Sequence, residues 1–311
     1  MYIFIAIWAI IALVIVLISY VTFTMVFLSV RKKYFSLYHG LEGDLSEIKR
    51  KRRDMIERIA RIPYEDVRIE SYDGLKLHAR YYHAKKGAPI AMQFHGYKSM
   101  SIRDFSGGAY ECIKRGHNLL LVDQRAHGES GGRVITFGIK ERYDCKAWTE
   151  YAVKRFGNDS KIIFYGISMG AATVLMASEL DLPENVVGIV ADCPYSSPGA
   201  IIKKVCRDRH LPPIIFYPFI KIGARLFGGF NPDSASAVSA VKNTDIPILL
   251  IHGGGDNFVP ASMSDEIRSS NPKIIYLRVP EATHGLSFLY DYNAYMKELQ
   301  NFYETILPME E

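Results

Sequence analysis

The chain opens on a run without a single charge, YIFIAIWAIIALVIVLISYVTFTMVFLSV from Tyr2 to Val30. A helix that is apolar all round is either buried in protein or set in a membrane, and this run is long enough to cross a bilayer with some tilt. Beyond it the pattern changes to short β-rich runs separated by segments of helical period. VRIES (67–71) and KLHARYYH (76–83) flank Asp73-Gly74, a strong hairpin turn signal. APIAMQFHG (88–96), NLLLVD (118–123), KIIFYG (161–166), NVVGIVAD (185–192), IPILLIHG (246–253) and KIIYLRV (273–279) read as strands buried on both faces. Helices are predicted between them: one ending at Gly116, then 139–156, 168–180, 262–270 and 287–306. Near-continuous apolar strands alternating with helices describe an α/β fold, a doubly wound and mostly parallel sheet of eight strands covered on both faces. A longer insertion, about 198–241, is predicted to hold two or three helices.

Charge refines the reading of the first segment. A cleaved signal peptide would show a basic start, a shorter apolar run and small residues before the cut, none of which is present here. The expected organisation is therefore a transmembrane anchor over 1–30, a basic juxtamembrane linker over 31–62, and a folded domain over 63–311. RKK (31–33) and KRKRR (49–53) follow the span, and no Lys or Arg precedes it. That asymmetry predicts a single-pass protein of the cell membrane with its folded domain in the cytoplasm. Residues 31–62 hold ten basic and five acidic side chains, a net of +5 that equals the charge of the whole chain. The surplus suits anionic lipid head groups or an amphipathic linker helix. It is no nucleic-acid footprint, which would spread over a folded face. Cys112, Cys145, Cys193 and Cys206 are scattered without metal-binding or redox spacing. No metal or organic cofactor is implied.

The spacing G-x-S-x-G occurs twice, as GESGG (128–132) and GISMG (166–170). A nucleophile elbow needs a strand running into the serine and a helix leaving it, with glycines where side chains would collide. Ser168 meets both conditions, following KIIFYG and preceding MGAATVLMASEL. Ser130 meets neither and belongs to a glycine-rich turn. A serine hydroxyl needs a base held by an acid, and elbows of this kind place them later in the chain, acid before histidine. His284, in EATHG after the last strand, leaves room for an acid at the end of the preceding strand, where Asp256 stands in HGGGDNFVP. Asp192, at the end of NVVGIVAD, is the second candidate acid. His252 reads as structural. The amide of Met169 can stabilise an oxyanion, and the loop FHGYKS after the third strand offers the amide of Tyr97, with Gly96 allowing close approach. The side chain of His95 reads as turn-stabilising.

HGYKS, DQRAHGES, GISMG, HGGGDNFVP and ATHG, in this order, resemble the α/β-hydrolase superfamily, and most of all its membrane-anchored bacterial hydrolases of the serine aminopeptidase-like branch. The resemblance covers about residues 63–307 and is far more specific for the superfamily than for a substrate. It implies Ser168 as nucleophile, Asp256 as acid and His284 as base, with Tyr97 and Met169 as oxyanion donors. Asp123, Arg125 and His127 then belong to a scaffold loop, in which Ala126 replaces a common glycine. The insertion becomes a small helical cap whose apolar side chains either line an acyl pocket or pack the core. The leading function is a serine hydrolase, carboxylesterase- or lipase-like, acting on carboxylic esters or thioesters with an apolar acyl group. A peptidase or amidase on the same triad is the first rival, and a silent membrane scaffold is a rival of another class. Haloperoxidase-like or transferase chemistry is open on the same residues.

Overall fold

The computed structural model describes residues 1–29 and 47–307. The basic run at 31–33 and the first half of the expected linker lie outside the described residues. In chain order the elements are helices α1 (Tyr2–Phe27) and α2 (Glu47–Ala60), then strands β1 (Glu65–Glu70), β2 (Lys76–Tyr82) and β3 (Ile90–Phe94). Next come α3 (Ser101–Asp104), α4 (Ser106–Lys114), β4 (Asn118–Asp123), α5 (Glu141–Phe156), β5 (Ile162–Ile167) and α6 (Met169–Ala177). β6 (Val186–Asp192) leads into α7 (Pro198–Asp208), α8 (Pro213–Gly228) and α9 (Ala237–Ala240). The chain closes with β7 (Ile248–Gly253), α10 (Ser262–Ser270), β8 (Ile275–Val279), α11 (Ser287–Tyr290) and α12 (Tyr292–Ile306).

The strands form one eight-stranded sheet in the order β1-β2-β4-β3-β5-β6-β7-β8. β1 and β2 pair antiparallel around the Asp73-Gly74 turn, and β2 pairs antiparallel with β4; every other pairing is parallel. The parallel strands are buried on both faces because apolar helices cover them. Trp148 and Ala152 of α5, with Val174 and Leu175 of α6, pack on one face; Cys112 of α4, with Leu299 and Phe302 of α12, packs on the other. β4 lies on one side of β3 and β5 on the other, so the direction of winding reverses there. Such a switch point opens a crevice at the carboxyl ends of the two strands, where ligands bind in sheets of this kind.

Two helices near the N-terminus join this body. α2 carries the basic run 49–53, yet its Ile56 and Ile59 are fully buried, and its Arg52 reaches Asp104 at 3.4 Å. α1 is long and apolar enough to cross a membrane. Its first part, through Leu17, is exposed, whereas Ser19, Phe23 and Phe27 are buried against α8 and the loop carrying Phe137. Backbone bonds then tie the end of α1 into the fold, from Ile135 N–H to Phe27 O (2.7 Å) and from Ser29 N–H to Arg133 O (2.9 Å).

Candidate active site

β5 ends in a turn that α6 leaves at once, and Ser168 sits in that turn with φ 56° and ψ −114°. A residue with a side chain adopts this region only when its surroundings impose it. The two glycines explain how the turn closes. A Cβ on Gly166 would fall 2.4 Å from the backbone of Ala171, and one on Gly170 would fall 1.8 Å from Phe94 O. The main chain of α6 therefore lies against the ends of β5 and β3, and only glycine permits it.

The Ser168 hydroxyl lies 2.9 Å from His284 Nε2, and Asp256 Oδ2 lies 2.6 Å from His284 Nδ1. The loop after β7 carries Asp256 and the loop after β8 carries His284, so neighbouring parallel strands deliver the two side chains to one place. The other oxygen of Asp256 accepts the N–H groups of Phe258 and Val259, each at 2.9 Å. Burial opposes charge on Asp256. Hydrogen bonds from His252 and His284, and from the Val259 amide, outweigh it and hold the carboxyl well below the usual carboxylate range. Asp256 is thus an anion near neutral pH, so Nδ1–H of His284 donates to it and Nε2 is left to accept from Ser168. That arrangement can draw a proton from a hydroxyl and store the resulting charge beside a carboxylate.

The loop after β3 adjoins the serine. A Cβ on Gly96 would sit 3.4 Å from Ser168 Cβ, and the Gly96 N–H is held by Asp104 Oδ2 at 2.9 Å. Tyr97 follows in this loop, and its hydroxyl donates to Val26 O of α1 at 2.6 Å. Met169 is the first residue of α6, where amides have no acceptor within the helix.

Asp192 ends β6, and its carboxyl bonds Ser287 where Asp256 bonds His284. Its Oδ1 accepts from Ser287 Oγ at 3.3 Å, and burial pushes its carboxyl up to about 6. Ser130 is fully buried, accepting from His78 N–H at 2.8 Å and donating to Asp123 O at 2.5 Å.

Comparison with known proteins agrees with this architecture. The profile of the family described as Hydrolase_4, serine aminopeptidase S33, matches residues 88–234. The Pyrococcus furiosus esterase Pf2001 superposes with a TM-score of 0.65 at 25% identity, covering 82% of this chain and 94% of that one. The chain has the α/β-hydrolase fold. The chain is also 25% identical over 194 residues to uncharacterized protein YqkD of Bacillus subtilis, a match of 61% of this chain and 63% of the relative. It therefore spans just under two thirds of that relative's length. Thiohydrolase aneE of Aspergillus aculeatus is 27% identical over 155 residues, 49% of this chain and 46% of its own.

Around this site the remaining motif residues are bound up in the scaffold. Arg125 bridges Asp144 and Asp73, and Asp123 accepts from His78, Ser101 and the Glu129 amide. His127 Nε2 accepts the Lys98 N–H at 3.0 Å, and His95 Nε2 accepts that of Gln124 at 3.2 Å. Ala126 takes φ 64°, a left-handed value that glycine adopts most readily. His252 does more than shape a turn. It packs beneath Asp256 with Nε2 3.3 Å from the carboxylate, while Nδ1 meets Ser264 Oγ at 2.6 Å. Motif reading passed over three further contributors. Phe258 sets its ring edge-on to His284 at 5.1 Å, Asp104 holds the Gly96 amide, and α1 supplies the carbonyl that holds Tyr97.

Proposed function

We propose that the chain cleaves carboxylic esters or thioesters through an acyl-enzyme on Ser168. His284 Nε2 takes the hydroxyl proton as Oγ attacks the carbonyl carbon. The imidazolium then gives that proton to the departing alkoxide or thiolate, and a water, deprotonated by the same nitrogen, releases the acid. Asp256 holds the tautomer and balances the imidazolium, and the amides of Tyr97 and Met169 receive the oxyanion. Loss of such a donor costs about 3–4 kcal/mol in the transition state.

The observation that carries the reading is the hydrogen-bonded row Ser168–His284–Asp256 on a left-handed elbow serine. An apolar acyl group suits the cluster in which Met169 packs with Tyr195, Phe230 and the buried side chains of α7 and α8. α1 supports anchorage in a membrane, and the basic residues that follow it support a cytoplasmic domain. The test is turnover of matched p-nitrophenyl esters, acyl thioesters and aminoacyl amides of graded chain length. The reading expects ester or thioester turnover that rises with acyl length. Activity confined to charged, water-soluble amides would replace it with a peptidase.

A further inference from the structure

α1 stands clear of the body only through Leu17, since Tyr2 to Leu17 are all exposed. Sixteen residues at about 1.5 Å each reach about 24 Å, short of the roughly 30 Å hydrocarbon core of a bilayer. About four more residues, Ile18 to Val21, must enter the apolar layer for α1 to span it. Ser19 and Tyr20 among them already meet α8. A Cβ on Gly223 would fall 2.3 Å from Ser19 O, and the ring of Phe227 lies 5.1 Å from that of Tyr20. α8 runs in the same sense as α1, with Gly223 beside Ser19, Gly228 beside Phe23 and Phe230 beside Phe27. The first turn of α8 therefore extends toward the free, membrane-directed part of α1.

The side chains on the outer face of α8 match that position. Ile214 is 87% exposed, Ile215 55% and Leu226 61%. Its inner face, with Tyr217, Ile220 and Ala224, packs in the cluster that contains Met169. Arg207, Arg209 and His210, all exposed, precede α8, and Arg225 lies exposed within it; of the nearby acids, Asp208 pairs with Lys204 and Asp233 with Lys221. Cations beside an exposed apolar face suit a layer where acyl chains meet anionic head groups.

We infer that α8 is a second membrane-contacting element, Ile214 and Ile215 of its first turn lying in the head-group and acyl boundary of a phospholipid bilayer. This rests on the reading of α1 as a membrane anchor, and it makes the lid of the site part of the lipid-facing surface.

Tryptophan fluorescence of the full-length protein in vesicles of phosphatidylcholine and phosphatidylglycerol tests it, with brominated acyl chains as the lipid quencher and iodide as the aqueous one. The wild-type chain has Trp8 on α1 and Trp148 in the core, so Trp8→Phe leaves a buried reference, and Trp8→Phe with Ile214→Trp adds the probe. Ile214 is exposed enough to be replaced without repacking. The added emission is expected to be blue-shifted, largely lost to brominated lipid and insensitive to iodide. Quenching by iodide, or shielding from both quenchers as when a second copy covers α8, overturns the inference while Trp8 of the wild type stays quenched by lipid. If Trp8 itself escapes the brominated chains, the anchor reading falls and this inference with it.

Discussion

Replacing Asp256 by asparagine changes one atom and should disable the base. The oxygen that receives the amides of Phe258 and Val259 must remain an acceptor, because two N–H groups point at it from 2.9 Å. The new NH2 then occupies the position of Oδ2 and faces His284 Nδ1, 2.6 Å away in the wild type. A donor there requires Nδ1 to accept, which moves the imidazole proton to Nε2. That nitrogen then presents N–H to Ser168 and cannot take its proton. The imidazolium also loses the buried carboxylate that balances it. In serine proteases the same change costs about 10^4 in kcat, close to 5.5 kcal/mol at about 1.36 kcal/mol per factor of ten. The expected outcome is a fall in kcat of about 10^3 to 10^4 for a p-nitrophenyl ester, with KM little changed and fluorophosphonate labelling slowed in proportion. A near-UV circular dichroism spectrum matching wild type checks the fold. A loss of less than about tenfold in a folded variant would refute the assignment of Asp256.

Other outcomes follow from the same geometry. Asp192→Asn should keep kcat within a few-fold of wild type, since this carboxyl bonds Ser287 and not the imidazole; steady-state kinetics decide it, and a loss matching that of Asp256→Asn would reverse the two roles. Phe27→Ala should remove a fully buried ring packed on Phe137 and Phe230, costing about 3–5 kcal/mol. Thermal unfolding in detergent should then shift down by roughly 10 °C, whereas a shift below about 2 °C would make α1 a mere tether. Burial pushes His117 down to about 4, with Arg115 adding to it, so the unfolded chain binds a proton there first as pH falls below about 6.5. Wild type should therefore lose up to about 1.4 kcal/mol of stability per pH unit from this residue between pH 6.5 and 4, and His117→Phe should flatten that slope; parallel stability curves of the two proteins would contradict it.

The sheet was legible because β3 to β7 are short, nearly continuous apolar runs bounded by turn residues and separated by helical segments. The elbow was legible because Gly166 and Gly170 answer a steric demand that no other residue meets. Asp192 ends β6 and Asp256 follows β7, both between Ser168 and His284 in the chain, and only the place of Asp256 after the strand preceding His284's ranked them. What distinguishes them is the direction of two side chains, one toward His284 and one toward Ser287, which pattern does not encode. The docking of α1 was illegible for another reason. In a run apolar on every face, Phe23 and Phe27 look like the leucines and isoleucines around them, and nothing local marks one side as protein-facing. The bond from Tyr97 to Val26 joins residues 71 apart in sequence and had no signature at all. α2 was half legible, since Ile56 and Ile59 keep helical spacing in a segment whose charge dominated its reading.

The central claim is that Ser168 carries the acyl group, and covalent trapping tests it most directly. The full-length protein is treated with a fluorophosphonate and digested, and the modified peptide is located by mass spectrometry. The account predicts one stoichiometric adduct on Ser168, with loss of ester turnover in parallel, abolished by Ser168→Ala and retained in Ser130→Ala. An adduct on another residue, or undiminished labelling and turnover in Ser168→Ala, would contradict it.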